Sequence, residues 1–350
     1  MTTLVILSEA ESQGECCAFL PLHLLTVRMQ SARVARMRLS SLFAAVFVFS
    51  STALVAQRPA RPAITGIAFM RVYTTDAAAA QRFYGQTLGF ERHEMDGLWV
   101  YPVNSLQWLE VIPHKGPEAN HMMAAIAFTT RDAAGLEKYL AAHDVAAVQP
   151  LKDGEFGVRD PEGNLVLFVE STAVAHPASR ADKPGPVAKM VADAPPSPNA
   201  TSRRIIHVGF IVHDQDKEAA FWRGLLGFRP YWHGGFQEDV TNWVSMQVPD
   251  GNDWIEFMLR IKDPVDLHQS GMQDHFSLGE EKMSDALAAL EKNGGEGPNC
   301  KKTQIGRDGK VQLNLFDPDL TRVEFMEFKP TQKPCCSEFT AANPTATESR

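Results

Sequence analysis

IIHVGFIV (205–212), DWIEFMLR (253–260), DHFSLG (274–279) and TRVEFMEF (321–328) are four short apolar runs, and each carries one side chain able to bind a metal: His207, Glu256, His275 and Glu324. They are separated by 49, 19 and 49 residues. The equal outer intervals predict two copies of one unit, each with an imidazole on its first strand and a carboxylate on its last. In a strand, residues two apart share a face. Glu256 thus lies beside Trp254 and Met258, and Glu324 beside Met326, whereas Glu327 falls on the opposite face. A carboxylate in such apolar surroundings needs a cation or a shifted pKa. Nitrogen and oxygen donors without thiolate suit one divalent ion such as Zn, Ni, Fe or Mn.

Working outward, the same grammar recurs four times. ITGIAFMRVYTTD opens a strand, and DAAAAQRFYGQTLGF is a helix capped by Asp76 and stopped by Gly89. Strand-like GLWVYPV and SLQWLEVI follow. A second unit runs from MMAAIAFTTRD through a helix capped by Asp132 to GEFGVRDPEGNLVLFVE. After residue 203 the order repeats: RIIHVGFIVHD, a helix ending LLGF, the strands around TNWVSMQV and DWIEFMLRI, then DHFSLG, a helix and KVQLNLFDPDLTRVEFMEF. Four strand–helix–strands units, two per domain, predict domains at 64–171 and 204–329. The Pro- and Ala-rich stretch 172–203 reads as a linker and 330–350 as a disordered tail.

The helix-ending LGF signals, the DP turns and the paired His and Glu strands resemble the vicinal oxygen chelate superfamily of glyoxalases, bleomycin-resistance proteins and extradiol dioxygenases. That resemblance implies an α+β fold of tandem βαβββ modules forming two cupped barrels with a metal on the concave face. It implies a substrate chelated through two adjacent oxygens, with Glu324 or Glu256 as general base for proton transfer beside a carbonyl. An extradiol-type dioxygenase and a non-catalytic binding protein are the alternatives. Against the extradiol pattern, Asn314 stands where a Tyr belongs, and Glu256 is an additional carboxylate. His233 and His268 are loop candidates for an acid. Counting from the caps and turns places Phe69, Ala125 and Leu167 where the second domain has His207, His275 and Glu324. Only Glu110 keeps a ligand type, so the first domain reads as a degenerate copy, with His114 and His121 as loop residues. Dimeric relatives can share a site between barrels, which admits a homodimer; four ligand types within 204–329 favour assembly in cis.

A net charge of −8 without a basic stripe excludes a nucleic-acid partner and points to a small-molecule substrate. Ahead of the domains, MRLSSLFAAVFVFSSTALVAQ (37–57) follows Arg33 and Arg36 and carries the three-part pattern of a secretory signal within a leader of residues 1–56. Cleavage near Ala56 would export the chain without a stable membrane span. The exported part keeps Cys300, Cys335 and Cys336, enough for one bridge from Cys300 to the tail pair.

Overall fold

The computed structural model describes residues 59–114, 121–170, 184–295 and 298–347. The leader and its expected signal lie outside the described residues. The first domain places β1 (Ile64–Tyr73), β2 (His93–Met95), β3 (Leu98–Pro102), β4 (Trp108–Ile112), β5 (Met123–Thr130), β6 (Gln149–Lys152), β7 (Glu155–Arg159) and β8 (Leu165–Glu170) in one sheet of order β2-β3-β4-β1-β5-β8-β7-β6. The second repeats it with β9 (Ile205–Ile211), β10 (Arg229–Gly234), β11 (Trp243–Gln247), β12 (Trp254–Met258), β13 (His275–Glu280), β14 (Thr303–Ile305), β15 (Val311–Phe316) and β16 (Arg322–Glu327), ordered β10-β11-β12-β9-β13-β16-β15-β14. Each sheet is two βαβββ modules joined through their first strands, β1 to β5 and β9 to β13, antiparallel. The expected α+β fold of tandem cupped modules is therefore the observed one.

The first helix of each domain has an unusual form. α1 (Ala77–Ala80) continues as a π-helical segment, Gln81–Thr87, and α4 (Gln215–Ala219) continues likewise over Ala220–Leu225. Asp76 and Asp214 cap them, accepting from the backbone N–H of Ala79 at 2.9 Å and of Lys217 at 3.1 Å. Gly89 and Gly227, at φ +72° and +79°, reverse the chain after each LGF signal. α2 (Ala133–Ala141) is capped by Asp132, α6 (Met283–Lys292) receives Glu327 on its first N–H at 2.8 Å, and α5 (Leu267–Gln273) precedes β13.

One apolar cluster contains residues of both domains: Phe128 of β5 meets Trp222 and Phe228 at 5.5 and 5.4 Å between ring centroids. The DP turns then cross between domains. Asp319 accepts from Thr74 Oγ1 at 2.6 Å and Thr75 N at 3.0 Å, while Tyr84 Oη donates to Asp317 at 2.8 Å. In return Glu162 accepts from His213 N and Asp214 N, both at 2.7 Å. Each domain thus holds the strand-to-helix corner of the other.

Two stretches depart from the composition-based reading. Within the expected linker, α3 (Pro186–Asp193) buries Ala188 and Val191 against Ala68, Phe69, Ala125, Ala127 and Leu167, filling the concave face of the first domain. Thr201 N then bonds Leu88 O at 3.0 Å. The expected disordered tail instead crosses the second domain: Phe339 lies 4.9 Å from the Tyr231 ring, Thr340 N bonds Tyr231 O at 3.0 Å, and Ala342 O accepts from Gln247 Nε2 at 2.7 Å. Small and aromatic side chains meeting a cup supply the burial that the polar average of these stretches conceals. The disulfide also differs, joining Cys335 to Cys336, with Cys300 buried outside it. Among the described residues no helix is long and apolar enough to cross a membrane.

Candidate metal centre

Strand register brings His207, Glu256 and His275 together in cis, with Glu324 beside His207. β9 lies between β12 and β13, and β13 pairs with β16, so two rows cross the sheet. One row is Glu256, Gly209, His275; the next is Trp254, His207, Ser277, Glu324, Asn314. His207 Nε2 lies 3.0 Å from His275 Nε2 and 3.1 Å from Glu324 Oε2, and His275 Nε2 is 3.8 Å from Glu256 Oε2. Donor atoms of His207, Glu256 and His275 all fall within 4.8 Å of one another.

Gly209 makes this possible. A Cβ there would sit 2.0 Å from His275 Cε1, so the imidazole occupies the space that any other residue would take. His275 Nδ1 lies 2.7 Å from the Gln273 carbonyl, which assigns the proton to Nδ1 and leaves the Nε2 lone pair facing inward. His207 is held by the Trp254 ring at 4.7 Å.

Electrostatics follow burial. Burial, then the Arg322 charge, drives His275 well below the usual imidazole range, and burial lowers His207 against the opposing pull of Glu324, so both rings are neutral near pH 7. Burial and the like charge of Glu324 push Glu256 up to about 8. Burial alone would raise Glu324 too, but its hydrogen bond with His207 and the Arg322 guanidinium hold it below the ordinary carboxylate range. Two neutral imidazoles whose Nε2 atoms face each other, beside two carboxylates, form a donor set that fits a divalent ion.

A cavity of about 660 Å³ opens over the cluster. Glu256 and Glu324 reach it between Trp243, Phe316 and Phe339, with Arg260, Lys302, Arg307 and Arg322 also on its lining. Neither His233 nor His268 lines it. His121 instead sits 3.4 Å from Asp274, the His114 ring lies 5.9 Å from that of Tyr73, and Glu327 caps α6. Three functional candidates escaped the sequence reading: Gly209, Arg322 and Lys310. Arg322 Nη2 lies 2.7 Å from His275 Nε2. Lys310 is fully buried, its Nζ 4.6 Å from the Trp254 ring and 5.2 Å from the Phe339 ring, and burial lowers it to about 8. The available signal for Lys310 was a lysine at the start of an apolar strand, KVQLNLF.

The first cup tests the pattern by contrast. Its rows are Glu110, Arg71, Ala125 and Trp108, Phe69, Ala127, Leu167, Gly157, which makes Phe69, Ala125 and Leu167 the register counterparts of His207, His275 and Glu324. Arg71 stands where Gly209 does. Its guanidinium pairs with Glu110, which also accepts from Trp108 Nε1 at 2.8 Å. A side-chain cation and α3 thus fill the place that the second domain leaves for a ligand.

Family models of the glyoxalase/bleomycin resistance protein/dioxygenase superfamily match residues 66–168 and 206–312. No curated protein matches the chain. Among solved structures, an extradiol ring-cleaving dioxygenase from B. fuscum superposes with a TM-score of 0.56 at 20% identity, over 82% of this chain and 76% of that one. The homoprotocatechuate 2,3-dioxygenase of Brevibacterium fuscum complexed with 3,4-dihydroxyphenylacetate gives 0.54 at 19%, over 81% and 83%. The Arthrobacter globiformis homoprotocatechuate 2,3-dioxygenase gives 0.53 at 18%, over 77% and 82%. At such identities the likeness is one of fold. With both of its domains matched by the family models and its two cups built from four βαβββ modules, the chain belongs to the glyoxalase/bleomycin resistance protein/dioxygenase superfamily.

Proposed function

We propose that the second domain is a metal-dependent enzyme site, with His207, Glu256, His275 and Glu324 as ligands, acting on a small substrate through two adjacent oxygens by glyoxalase-like proton transfer. The observation that carries this is the convergence of two buried imidazoles, 3.0 Å apart at Nε2, with two carboxylates under an open cavity. A divalent ion held by these four residues would supply a Lewis acid beside a substrate carbonyl.

The two carboxylates divide the remaining work. Glu324 is buried and fixed by His207, so it anchors. Glu256 is partly exposed to the cavity and takes a hydrogen bond from Ser245 Oγ at 3.2 Å. Open to the cavity, Glu256 is the carboxylate placed to accept a proton from the substrate and return it.

An extradiol-type dioxygenase is the second reading, favoured by the fold likeness to the ring-cleaving enzymes and by the filled first cup. The chemistry separates the two. Metal analysis of purified protein, followed by assays with 2-oxoaldehyde adducts and catechols under Zn, Ni, Mn and Fe, should give about one equivalent of metal and metal-dependent turnover. His207→Ala and His275→Ala should each abolish both. Oxygen consumption on catechols would select the dioxygenase, and a metal-free wild type after metal loading would refute the site.

A further inference from the structure

We propose that Arg322 binds an anionic oxygen of the substrate beside the metal, and that its guanidinium takes over the cation's place on His275 when the ion is absent; this rests on the metal reading above. Arg322 stands two residues before Glu324 on β16 and faces the same side, on the cavity lining. Its Nη2 lies 2.7 Å from His275 Nε2, the lone pair that the Gln273 carbonyl turns inward. The guanidinium has no lone pair to offer a metal, so an ion at His275 Nε2 and Arg322 at the same atom exclude each other.

The first cup arrives at the same solution from another strand. There Arg71 on β1 pairs with Glu110, although the counterpart of Arg322 is Leu165 and the counterpart of Arg71 is Gly209. Two cups place a guanidinium against their ligand-type residues from different positions. The shared requirement is a positive charge among buried carboxylates, not a particular residue. In the first cup Arg71 is locked in place. In the second the cation can be exchanged, because Arg322 borders open space.

Once displaced, Arg322 needs a partner, and the cavity supplies the direction. Its Nε is buried without a hydrogen bond, and so is Oδ1 of Asn314, which sits across from Glu324 on β15 and also lines the cavity. A donor fork and an unpaired acceptor then flank the ligand cluster. Arg260, Lys302 and Arg307 add positive charge to the walls, whereas the remaining lining carboxylate, Asp308, accepts the Lys310 backbone N–H at 3.1 Å. In a chain of net charge −8 this is a local reversal of sign. It fits a small organic anion such as a 2-hydroxy acid, with its carboxylate on Arg322 and its hydroxyl donating to Asn314 Oδ1.

The test compares wild type with Arg322→Gln and Arg322→Lys by calorimetric titration, first with Zn2+ and Co2+ on metal-stripped protein, then with oxalate on the Co2+-loaded protein. Arg322→Gln should bind metal on the order of tenfold more tightly, because a competing charge has gone, and should bind oxalate on the order of tenfold more weakly. Arg322→Lys should keep near wild-type metal affinity and lose oxalate affinity, since it retains charge without the fork. If wild type takes up one metal while Arg322→Gln matches it in both affinities, the inference is overturned and the metal site stands. If neither protein takes up metal, the metal site itself is refuted.

Discussion

Two residues shape the cluster of His207, Glu256, His275 and Glu324 from beside it, Gly209 on β9 and Arg322 on β16. Gly209 leaves the space that the His275 ring fills. Gly209→Ala should therefore displace that ring, cost about 1–3 kcal/mol, and cut metal uptake severely while circular dichroism stays native-like; unchanged metal content would show that the strand yields instead. His207, Glu256, His275 and Glu324 were legible in the sequence because residue type and spacing coincide, and register then places Phe69, Glu110, Ala125 and Leu167 as their counterparts. Gly209 and Arg322 were not legible. A glycine inside an apolar strand and an arginine at a strand edge are ordinary until the neighbouring strands show what each one faces. Lys310 was missed for the same reason, since its cage of Tyr231, Trp254 and Phe339 assembles from three distant stretches.

At the scale of elements, the strands and helices follow local signals, caps at Asp76, Asp132 and Asp214 and reversals at Gly89 and Gly227, so the repeat could be read without a structure. The two connecting stretches could not. Their composition is averaged over many polar residues, whereas docking depends on a few, Ala188 and Val191 in α3 and Phe339 in the tail. Val191→Asp would bury a charge among Phe69, Ala125 and Leu167 and should destabilise the chain by about 3 kcal/mol or more in urea unfolding. Phe339→Ala should have a milder effect on stability, about 1–2 kcal/mol, but should widen the cavity mouth. A selective gain in turnover or affinity for bulkier substrates is its signature, and an unchanged size preference would remove the tail from the site.

Across the whole molecule, the crossed DP turns and the shared Phe128–Trp222 contact tie the domains together, so calorimetry should show one cooperative transition for both rather than two. Its pH dependence has a definite sign. Burial raises Glu256, Glu218 and Glu280 to about 8 and Asp317 and Glu155 to about 7. Between pH 6.5 and 8 these groups hold protons in the folded chain that the unfolded chain has lost, so the stability they contribute at low pH drains away as pH rises through those values. The Tm of metal-free protein should fall across that window, and a flat profile would contradict the burial of these carboxyls. The plug in the first cup has one further consequence. Because α3 is tethered to the surface that it covers, mass action favours it at an effective concentration on the order of millimolar whatever the dilution. A free ligand meets that competitor in one cup and open space in the other, so saturation should come at one molecule per chain despite the duplicated architecture.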